Sequence, residues 1–431
     1  MDKTVCKHNG SSRSPWAWVP TLYFAQGLPY IAVMTISVIM YKRLGISNTD
    51  IALYTGWLYL PWVIKPFWSP IVDIFSTKRR WVIVMQWLVA IAFAGIAFAL
   101  PVASFFSLTL AVFWLVAFVS ATHDIAADGY YMLALNPHEQ SFYVGIRSTA
   151  YRIASVAGQG ALVVIAGCLE TNTGNVPFAW SVVFFILSAL FLVFALYHSW
   201  SLPKVEKTTE DKTKVDIKDV LREFIRVFVA FFKKKQVGIA ILFMLLYRLP
   251  EAQLVKLINP FLLDPVSAGG LGLSTSEVGI VYGTVGIIGL TLGGIIGGLV
   301  AARQGLKFWL KPMAWSMSLT CLTFLYLSYA VDPGLLTINV CVFIEQFGYG
   351  FGFTAYMLYL IYFSEGEYAT AHYSICTGFM ALGMMLPGMA AGWIQETIGY
   401  QNFFIWTMIC CVATIAVTYT LRISPAFGRK H

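Results

Sequence analysis

The chain has 431 residues, of which 58% are hydrophobic and 12% are charged, and its net charge is +8. A soluble domain carries about 25% charged residues, so this composition excludes an ordinary soluble protein. Apolar stretches of roughly 20 residues recur along almost the whole chain, which is the signature of membrane-spanning helices. The composition therefore predicts an all-α polytopic membrane protein.

One long hydrophilic segment, 202–236, divides the apolar stretches into six and six. This division predicts an N-terminal six-helix bundle in 1–201, a linker in 202–236 and a C-terminal six-helix bundle in 237–431. The twelve predicted spans, in chain order, are 16–41, 51–72, 81–100, 108–135, 142–169, 179–201, 237–263, 275–302, 308–330, 336–363, 372–396 and 402–422.

The linker has an apolar residue at each helical turn between its charges, which predicts an amphipathic helix at the membrane surface. These apolar residues are Val220, Leu221, Phe224, Ile225 and Phe228.

The distribution of lysine and arginine predicts the orientation. Of these residues, 22 lie in the termini and in the loops on the same side, whereas the loops of the other side hold only Lys42 and Arg43. Because basic loops remain in the cytoplasm, both termini are predicted to be cytoplasmic. The net charge is thus a topology signal, and no nucleic-acid partner is predicted.

Two carboxylates, Asp124 and Asp128, interrupt the fourth apolar stretch, and Arg147 and Arg152 interrupt the fifth. A charge at bilayer depth is costly without a partner or a water-filled cavity. The polar break near position 138 makes an antiparallel hairpin, so Asp124 is level with Arg152 and Asp128 with Arg147. We expect two ion pairs in the polar interior of a protein that moves a solute across the membrane. Either carboxylate also has the chemistry to carry a proton, and an ion pair that breaks in one conformation can act as a gate.

Five more charged side chains lie within predicted spans, and with the four above they leave a surplus of one positive charge, which suits an anionic cargo. Glu345 has no basic residue within four positions, which favours it as a proton-coupling site; the alternative is a cross-helix pair with Lys65 or an arginine. The five residues are Lys65, Arg248, Glu251, Lys256 and Glu345.

Arg248 and Glu251 are three residues apart, with Pro250 between them. They either pair locally or line a solute site at a helix break. Lys65 either meets Asp128 or binds cargo, and Lys256 is predicted to be an outer gate or a snorkelling residue.

Sugars stack on aromatic rings and need amide and hydroxyl partners, so Gln26 and Tyr30 in the first span are predicted to line the cavity. Arg152 is predicted to touch the cargo, with a purely structural role as the alternative.

The seven cysteines show no metal-ligand spacing and are interpreted as small apolar residues, so no metal or other cofactor is predicted.

Several segments resemble AmpG-type muropeptide permeases of the major facilitator superfamily, whose relatives include acetyl-CoA transporters and some siderophore importers. The similar segments are FAQGLPY (24–30), FWSPIVD (67–73) with KRRW (78–81), SATHDIAADGYY (120–131), AYRIASVAGQGA (150–161), LLYRLPEA (245–252), STSEVGIVYGTVGIIGLTLGGIIGG (274–298) and FIEQFGYGFG (343–352).

The resemblance implies a major facilitator fold and proton-driven import of anhydro-muropeptides or related amino-sugar compounds. The chain departs from the usual loop motif between the second and third spans, because Ser69 and Pro70 stand where a Gly-led turn is common. Asp73 and the basic cluster Lys78–Arg80 remain, so Asp73 is predicted to act in gating.

The sequence thus predicts a proton-coupled secondary transporter, and not an enzyme, in the bacterial inner membrane. By alternating access it imports a muropeptide-like or other amino-sugar saccharide. The alternative cargo is a siderophore or an acyl-CoA-like anionic compound. The predicted partners are a small-molecule substrate and membrane lipid, and the protein is expected to be a monomer that uses the proton gradient.

Overall fold

The computed structural model describes residues 14–135, 137–205, 217–425 and 427, and these residues form helices with no strand among them. We number the helices that fit the predicted spans. They are α1 (Pro15–Arg43), α2 (Asn48–Trp57 and Leu60–Phe75), α3 (Lys78–Ala99), α4 (Phe105–Ala134), α5 (Pro137–Ser155, continued by Val156–Leu162 and Val163–Thr173), α6 (Val176–Ser201), α7 (Val237–Leu246 and Leu249–Leu263), α8 (Thr275–Gln304), α9 (Leu306–Thr320 and Leu322–Tyr329), α10 (Leu335–Ser364), α11 (369–398) and α12 (400–420).

Nine helices in the described part of the chain are long and apolar enough to cross a membrane. The last of them is broken at Gly399, whose φ of 77° lies in the left-handed region, so α11 and α12 are separate segments. With α2 and α9, the arrangement fits the twelve predicted spans and the predicted all-α polytopic fold.

Polar caps begin several helices. Ser47 accepts a hydrogen bond from the N–H of Asp50 at the start of α2, and Thr77 and Asn175 cap α3 and α6 in the same way. Ser274 and Glu277 form a reciprocal capping box at the start of α8. These caps satisfy backbone N–H groups that have no partner within the helix, which fixes where each helix begins.

The two halves, 1–201 and 237–431, are bound together at one end of the bundle. Lys42 at the end of α1 forms an ion pair of 2.6 Å with Asp264 at the end of α7. The side-chain amide of Asn48 in α2 donates to Gln395 Oε1 at 2.7 Å and to the Tyr400 hydroxyl at 3.0 Å. We call this the sealed end; it carries the connections at 44–47, 264–274 and 399.

Glycine backbones allow the halves to approach closely near the sealed end. A Cβ on Gly283 of α8 would lie 1.9 Å from the carbonyl oxygen of Gln159 in α5. A Cβ on Gly392 of α11 would likewise lie 2.0 Å from the carbonyl oxygen of Asn48 in α2. Only glycine permits these α5–α8 and α2–α11 contacts.

Both sides of the α5–α8 contact are π-helical turns, Val156–Leu162 and Val281–Gly286. Such turns are rare and occur frequently at functional sites. The α5–α8 seam is therefore irregular on both sides.

A helix over Ile217–Phe232 occupies the second part of the predicted linker; 206–216 lie outside the described residues, as do the side chains of Val220 and Leu221. Its Phe228 ring packs 5.4 Å from Phe67 of α2, and Phe231 packs 5.6 Å from Phe363 of α10. This helix, which we call the linker helix, thus touches both halves at the end opposite to the sealed end. Ile225 is exposed on its other face.

Candidate functional site

Side chains of α1 and α2 form an aromatic wall in the first half. Tyr30 packs edge-to-face on Trp62 with 5.2 Å between the ring centroids. Gln26 lies one turn before Tyr30 on the same face of α1, and its Oε1 is buried without a hydrogen-bond partner among the described residues. Gln26 and Tyr30 thus lie on one face of α1, and their role in lining a cavity stays a prediction.

Asp124 binds two groups of α2. The indole N–H of Trp62 donates to Asp124 Oδ2 at 3.1 Å, and the Lys65 ammonium lies 3.7 Å from the same oxygen. The predicted Asp124–Arg152 pair is therefore wrong, and Lys65 meets Asp124 instead of Asp128 or Glu345.

Arg152 points across the interface between the halves. Its Nη2 lies 3.4 Å from the position that a Cβ on Gly294 of α8 would occupy, and no ion pair of Arg152 occurs within the described residues. Equal distance from the tip of the α4–α5 hairpin predicts only that two side chains lie at the same depth in the membrane. Because Arg147 and Arg152 are five residues apart, they are separated by about 140° around α5, so the same helix cannot aim both at α4.

The Asp128–Arg147 pair is confirmed, with 3.1 Å between Arg147 Nη2 and Asp128 Oδ1. The Tyr23 hydroxyl donates to the same oxygen at 3.0 Å, and the Arg147 guanidinium lies 4.4 Å from the centre of the Tyr23 ring. The Asp128 side chain is 38% exposed, so this pair lies in a more open environment than the groups described next.

A break in α7 positions Arg248. The first part of α7 ends at Leu246, and the second begins at Leu249 with Pro250 in its first turn. Arg248 donates to the Tyr349 hydroxyl of α10, and its guanidinium lies 4.8 Å from the centre of the Phe353 ring.

The local Arg248–Glu251 ion pair is not found in the described part of the chain. Arg248 precedes the second part of α7 and has non-helical angles, φ −103° and ψ 16°. Residues three apart face each other only along a continuous helix, so the break separates the two side chains.

Glu251 and Glu345 form a buried acid pair in the second half. Each is 1% exposed, and the charge of Glu251 acts on Glu345. Both carboxyl oxygens of Glu251 lack a hydrogen-bond partner among the described residues, whereas Glu345 accepts from Gln346 Nε2 at 2.8 Å. The alternative prediction, a cross-helix pair of Glu345 with a basic residue, is wrong for the part of the chain that the structure describes.

Lys256 joins the halves beneath the sealed end. It is 1% exposed, its ammonium donates to Thr55 Oγ1 of α2 at 2.8 Å, and it lies 5.3 Å from the centre of the Tyr59 ring. Lys256 therefore does not snorkel to a surface, and its position between the halves is compatible with the predicted gate. Asp73 lies in α2, but its side chain is outside those that the structure describes.

Three tyrosines of this region were not predicted as site residues from the sequence: Tyr59, Tyr151 and Tyr349. Tyr59 adds to the part of the aromatic wall in α2, and Tyr151 and Tyr349 extend the wall to α5 and α10. Their hydroxyl groups interact electrostatically with Tyr30 or with Arg248. Adjacency was the available signal, because Tyr151 precedes Arg152 and Tyr59 lies three residues before Trp62. Aromatic residues are so frequent in this chain that adjacency alone did not single them out.

Glu170 is a further polar residue whose role was not predicted from the sequence. Glu170 accepts hydrogen bonds from Arg43 at 3.0 Å, Trp180 at 2.8 Å and Thr275 of α8 at 2.7 Å. It thus links α1, α6 and the second half at the sealed end. Among the described residues, no group of three His, Cys, Asp or Glu side chains is placed to hold a metal ion.

The sequence profile of the Major Facilitator Superfamily matches residues 21–385. The chain therefore belongs to the Major Facilitator Superfamily. It is a multi-pass membrane transporter and not an enzyme, as its sequence predicts.

Similar proteins agree with this assignment and confirm the resemblance to AmpG-type permeases. The chain is 25% identical over 415 residues to a Rickettsia conorii protein named as transporter AmpG 4, covering 93% of this chain and 95% of that protein. It is 24% identical over 429 residues to the anhydromuropeptide permease of Escherichia coli K12, covering 95% of this chain and 80% of that protein.

Solved structures share the fold. A bacterial homologue of the human lysosomal transporter Spinster aligns with a TM-score of 0.72 and 17% identity, covering 96% of this chain and 97% of that one. A point mutant of the nucleoside transporter NupG aligns with a TM-score of 0.69 and 16% identity, covering 93% of this chain and 97% of that one. The fold class is thereby confirmed.

Proposed function

We propose that this protein is a proton-coupled importer of a muropeptide-like or other amino-sugar saccharide. It acts as a monomer in the bacterial inner membrane, with both termini in the cytoplasm and the proton gradient as its energy source. The similarity to the anhydromuropeptide permease of Escherichia coli supports the cargo class.

The observation that carries the proposal is the set of aromatic and polar side chains that both halves present to one another. Tyr30 and Trp62 come from the first half, and Arg248 and Tyr349 from the second. Sugars stack on aromatic faces, while amides, hydroxyls and guanidinium groups bind their oxygens. Gln26 supplies a buried amide oxygen that is free to accept a hydrogen bond within the described residues.

Glu345 and Glu251 are the proposed proton carriers. Burying a carboxylate without a positive partner costs free energy, and taking up a proton removes most of that cost. Asp124 and Asp128 have positive partners in Lys65 and Arg147, which favours a gating role for them over proton carriage.

Alternating access follows from the arrangement of the contacts. The distribution of lysine and arginine supports a periplasmic position of the sealed end and an inward-facing conformation. Return to the outward-facing state requires the Lys42–Asp264 pair and the Asn48 bonds to break. The Asp128–Arg147 pair, near the other end, is placed to change when the cytoplasmic side closes.

The test is uptake of a labelled anhydro-muropeptide into proteoliposomes, with and without an inward proton gradient. Wild type is expected to accumulate the cargo only with the gradient. Glu345→Gln is expected to lose accumulation by roughly tenfold or more while it still exchanges cargo across the membrane without a gradient, because only the proton step is removed.

A matched variant, Glu365→Gln, changes an exposed glutamate of the α10–α11 connection and is expected to accumulate cargo like wild type. Accumulation by wild type that ignores the gradient contradicts proton coupling. If the protein does not take up the anhydro-muropeptide but does take up a ferric siderophore or an acyl-CoA, the alternative cargo replaces the proposed one.

A further inference from the structure

Four buried charged groups of the second half have no ion-pair partner among the described residues: Arg248, Glu251, Lys256 and Glu345. Their exposed fractions are 7%, 1%, 1% and 1%. An isolated buried charge costs several kcal/mol, so such a set needs compensation from another source. The groups are two acids, of which Glu251 acts electrostatically on Glu345, and two cations, each of which interacts with Tyr59 of the first half.

The surroundings of the acids supply little positive charge. The titratable groups that face Glu251 and Glu345 come from four neighbouring helices and from α7 itself. They are Tyr282 of α8, Cys321 of α9, Tyr349 of α10, Cys411 of α12 and Arg248 of α7, which is the only cation among them within the described residues.

Among the described residues, Lys256 has no acidic neighbour, and the one carboxylate whose charge acts on Arg248 is Glu251. Lys256 has one hydrogen-bond acceptor, Thr55 Oγ1, for its three N–H groups. On the other side, Gly388 of α11 has no side chain, and a Cβ there would lie 3.4 Å from Lys256 Cγ. The Nε of Arg248 is buried with no partner among these residues.

Tyr59 of α2 interacts with both cations. The Lys256 ammonium is 5.3 Å from the centre of its ring, and Arg248 interacts with its hydroxyl group. An anion bound beside Tyr59 is therefore attracted by both positive groups. Arginine and lysine with a tyrosine hydroxyl are the side chains that bind carboxylate and phosphate oxygens.

We propose that Arg248 and Lys256 bind an anionic group of the cargo, a carboxylate or a phosphate, and that this binding and the protonation of Glu251 and Glu345 favour each other. The inference rests on the proposed function, since it specifies the cargo of that site. When the acids are protonated, the two cations lack a counter-charge and the anion supplies it. When the anion leaves, the acids can release their protons and again balance the cations. By thermodynamic linkage, each event strengthens the other to the same extent.

The first experiment does not depend on the identity of the cargo. The thermal unfolding of purified protein is measured with sodium phosphate and with sodium chloride at equal ionic strength. Phosphate is expected to raise the Tm of wild type by about 3 °C or more, because a ligand that binds only the folded state stabilises it. Lys256→Met is expected to abolish the increase. Lys307→Met, the same change at an exposed lysine of α9, is expected to retain it.

The second experiment compares a disaccharide of N-acetylglucosamine and 1,6-anhydro-N-acetylmuramic acid with its methyl ester, which lacks the carboxylate charge. Wild type is expected to bind the acid roughly tenfold or more tighter than the ester, and Lys256→Met to lose most of that ratio. Arg248→Met is expected to do the same, and Arg248→Lys to keep part of it.

The linkage is tested by pH. The Kd of wild type for the acid is expected to rise up to about tenfold per pH unit for each linked proton between about pH 6 and pH 8. The double variant Glu251→Gln, Glu345→Gln, whose amides stay neutral, is expected to bind the acid with an affinity that does not change with pH.

Equal stabilisation of wild type and Lys256→Met by phosphate, or equal binding of acid and ester by wild type, overturns the anion site. Equal pH dependence in wild type and the double glutamine variant overturns the linkage. A phosphate effect that depends on Lys256 while neither saccharide binds contradicts the proposed cargo and retains the anion site.

Discussion

Asp124 contacts the indole N–H of Trp62 and the ammonium of Lys65, both from α2, and the side chain of Gln26 from α1. The matched heights along the α4–α5 hairpin correctly predicted the Asp128–Arg147 pair but not the partner of Asp124. Distance from the tip of a hairpin fixes a level, whereas the partner also depends on the angle around each helix. At the level of Asp124, α2 supplies a cation and α5 turns its own cation toward α8.

A double-mutant cycle distinguishes the two partners of Asp124. We expect Asp124→Asn and Lys65→Met to couple by about 0.5–3 kcal/mol in unfolding free energy, because they remove the same contact. Asp124→Asn and Arg152→Met are expected to add within about 0.5 kcal/mol. The measurement is chemical or thermal unfolding in detergent, and stronger coupling with Arg152 contradicts the assignment.

At the scale of the helices, the break in α7 and the π-helical turns of α5 and α8 decide which side chains meet. In the sequence, Pro250 predicts a break in the helix, and the structure contains this break. The sequence did not indicate that it would separate Arg248 from Glu251. The two π-helical turns also lie in glycine-containing segments, yet glycine content alone does not predict an extra residue in a helical turn.

The glycine contact between α5 and α8 gives a test at this scale. Gly283→Ala places a Cβ 1.9 Å from the Gln159 carbonyl oxygen, so the helices must move apart. We expect a loss of about 1–3 kcal/mol in stability. The distance between spin labels at positions 173 and 280, measured with Cys168 replaced by Ser, should become longer and more broadly distributed.

The matched control is Gly298→Ala in the same helix, where no atom lies within 4 Å of the added Cβ. It is expected to be neutral or to stabilise the protein by up to about 1 kcal/mol, since alanine favours helix. An unchanged label distance in Gly283→Ala contradicts the closely packed seam.

At the scale of the whole molecule, the main structural feature is the sealed end, where the two halves are joined. Polar bonds tie the halves at this end: the Lys42–Asp264 pair, the Asn48 amide bonds and the Thr275–Glu170 bond. The distribution of lysine and arginine predicts that Lys42 and Arg43 lie on the periplasmic side. Both residues form ion pairs at the sealed end. The two basic residues of the predicted periplasmic side thus form contacts that close this end of the protein.

The orientation of the sealed end can be measured directly. In a background with Cys168 replaced by Ser, Asn402→Cys at the sealed end is expected to react with a membrane-impermeant maleimide in intact cells. Lys233→Cys, after the linker helix, is expected to react only after the membrane is permeabilised. Both positions are exposed, so accessibility differs by side of the membrane alone. The reverse pattern would place the termini outside the cytoplasm.

The sequence by itself determined the membrane class, the positions of the helices and the family. These properties depend on local apolar length, on charge between spans and on motifs that are contiguous in the chain. It also indicated most of the charged residues of the site, because a charge in a span stands out whatever its partner is.

Only the tertiary structure decided which charges meet. Lys65 with Asp124 and Lys256 with Thr55 are contacts between helices far apart in the chain, and Glu251 acts electrostatically on Glu345 of another helix. Such contacts depend on the rotation of each helix and on where a helix breaks. A sequence period fixes which face of a helix a residue occupies, but only packing fixes what that face meets.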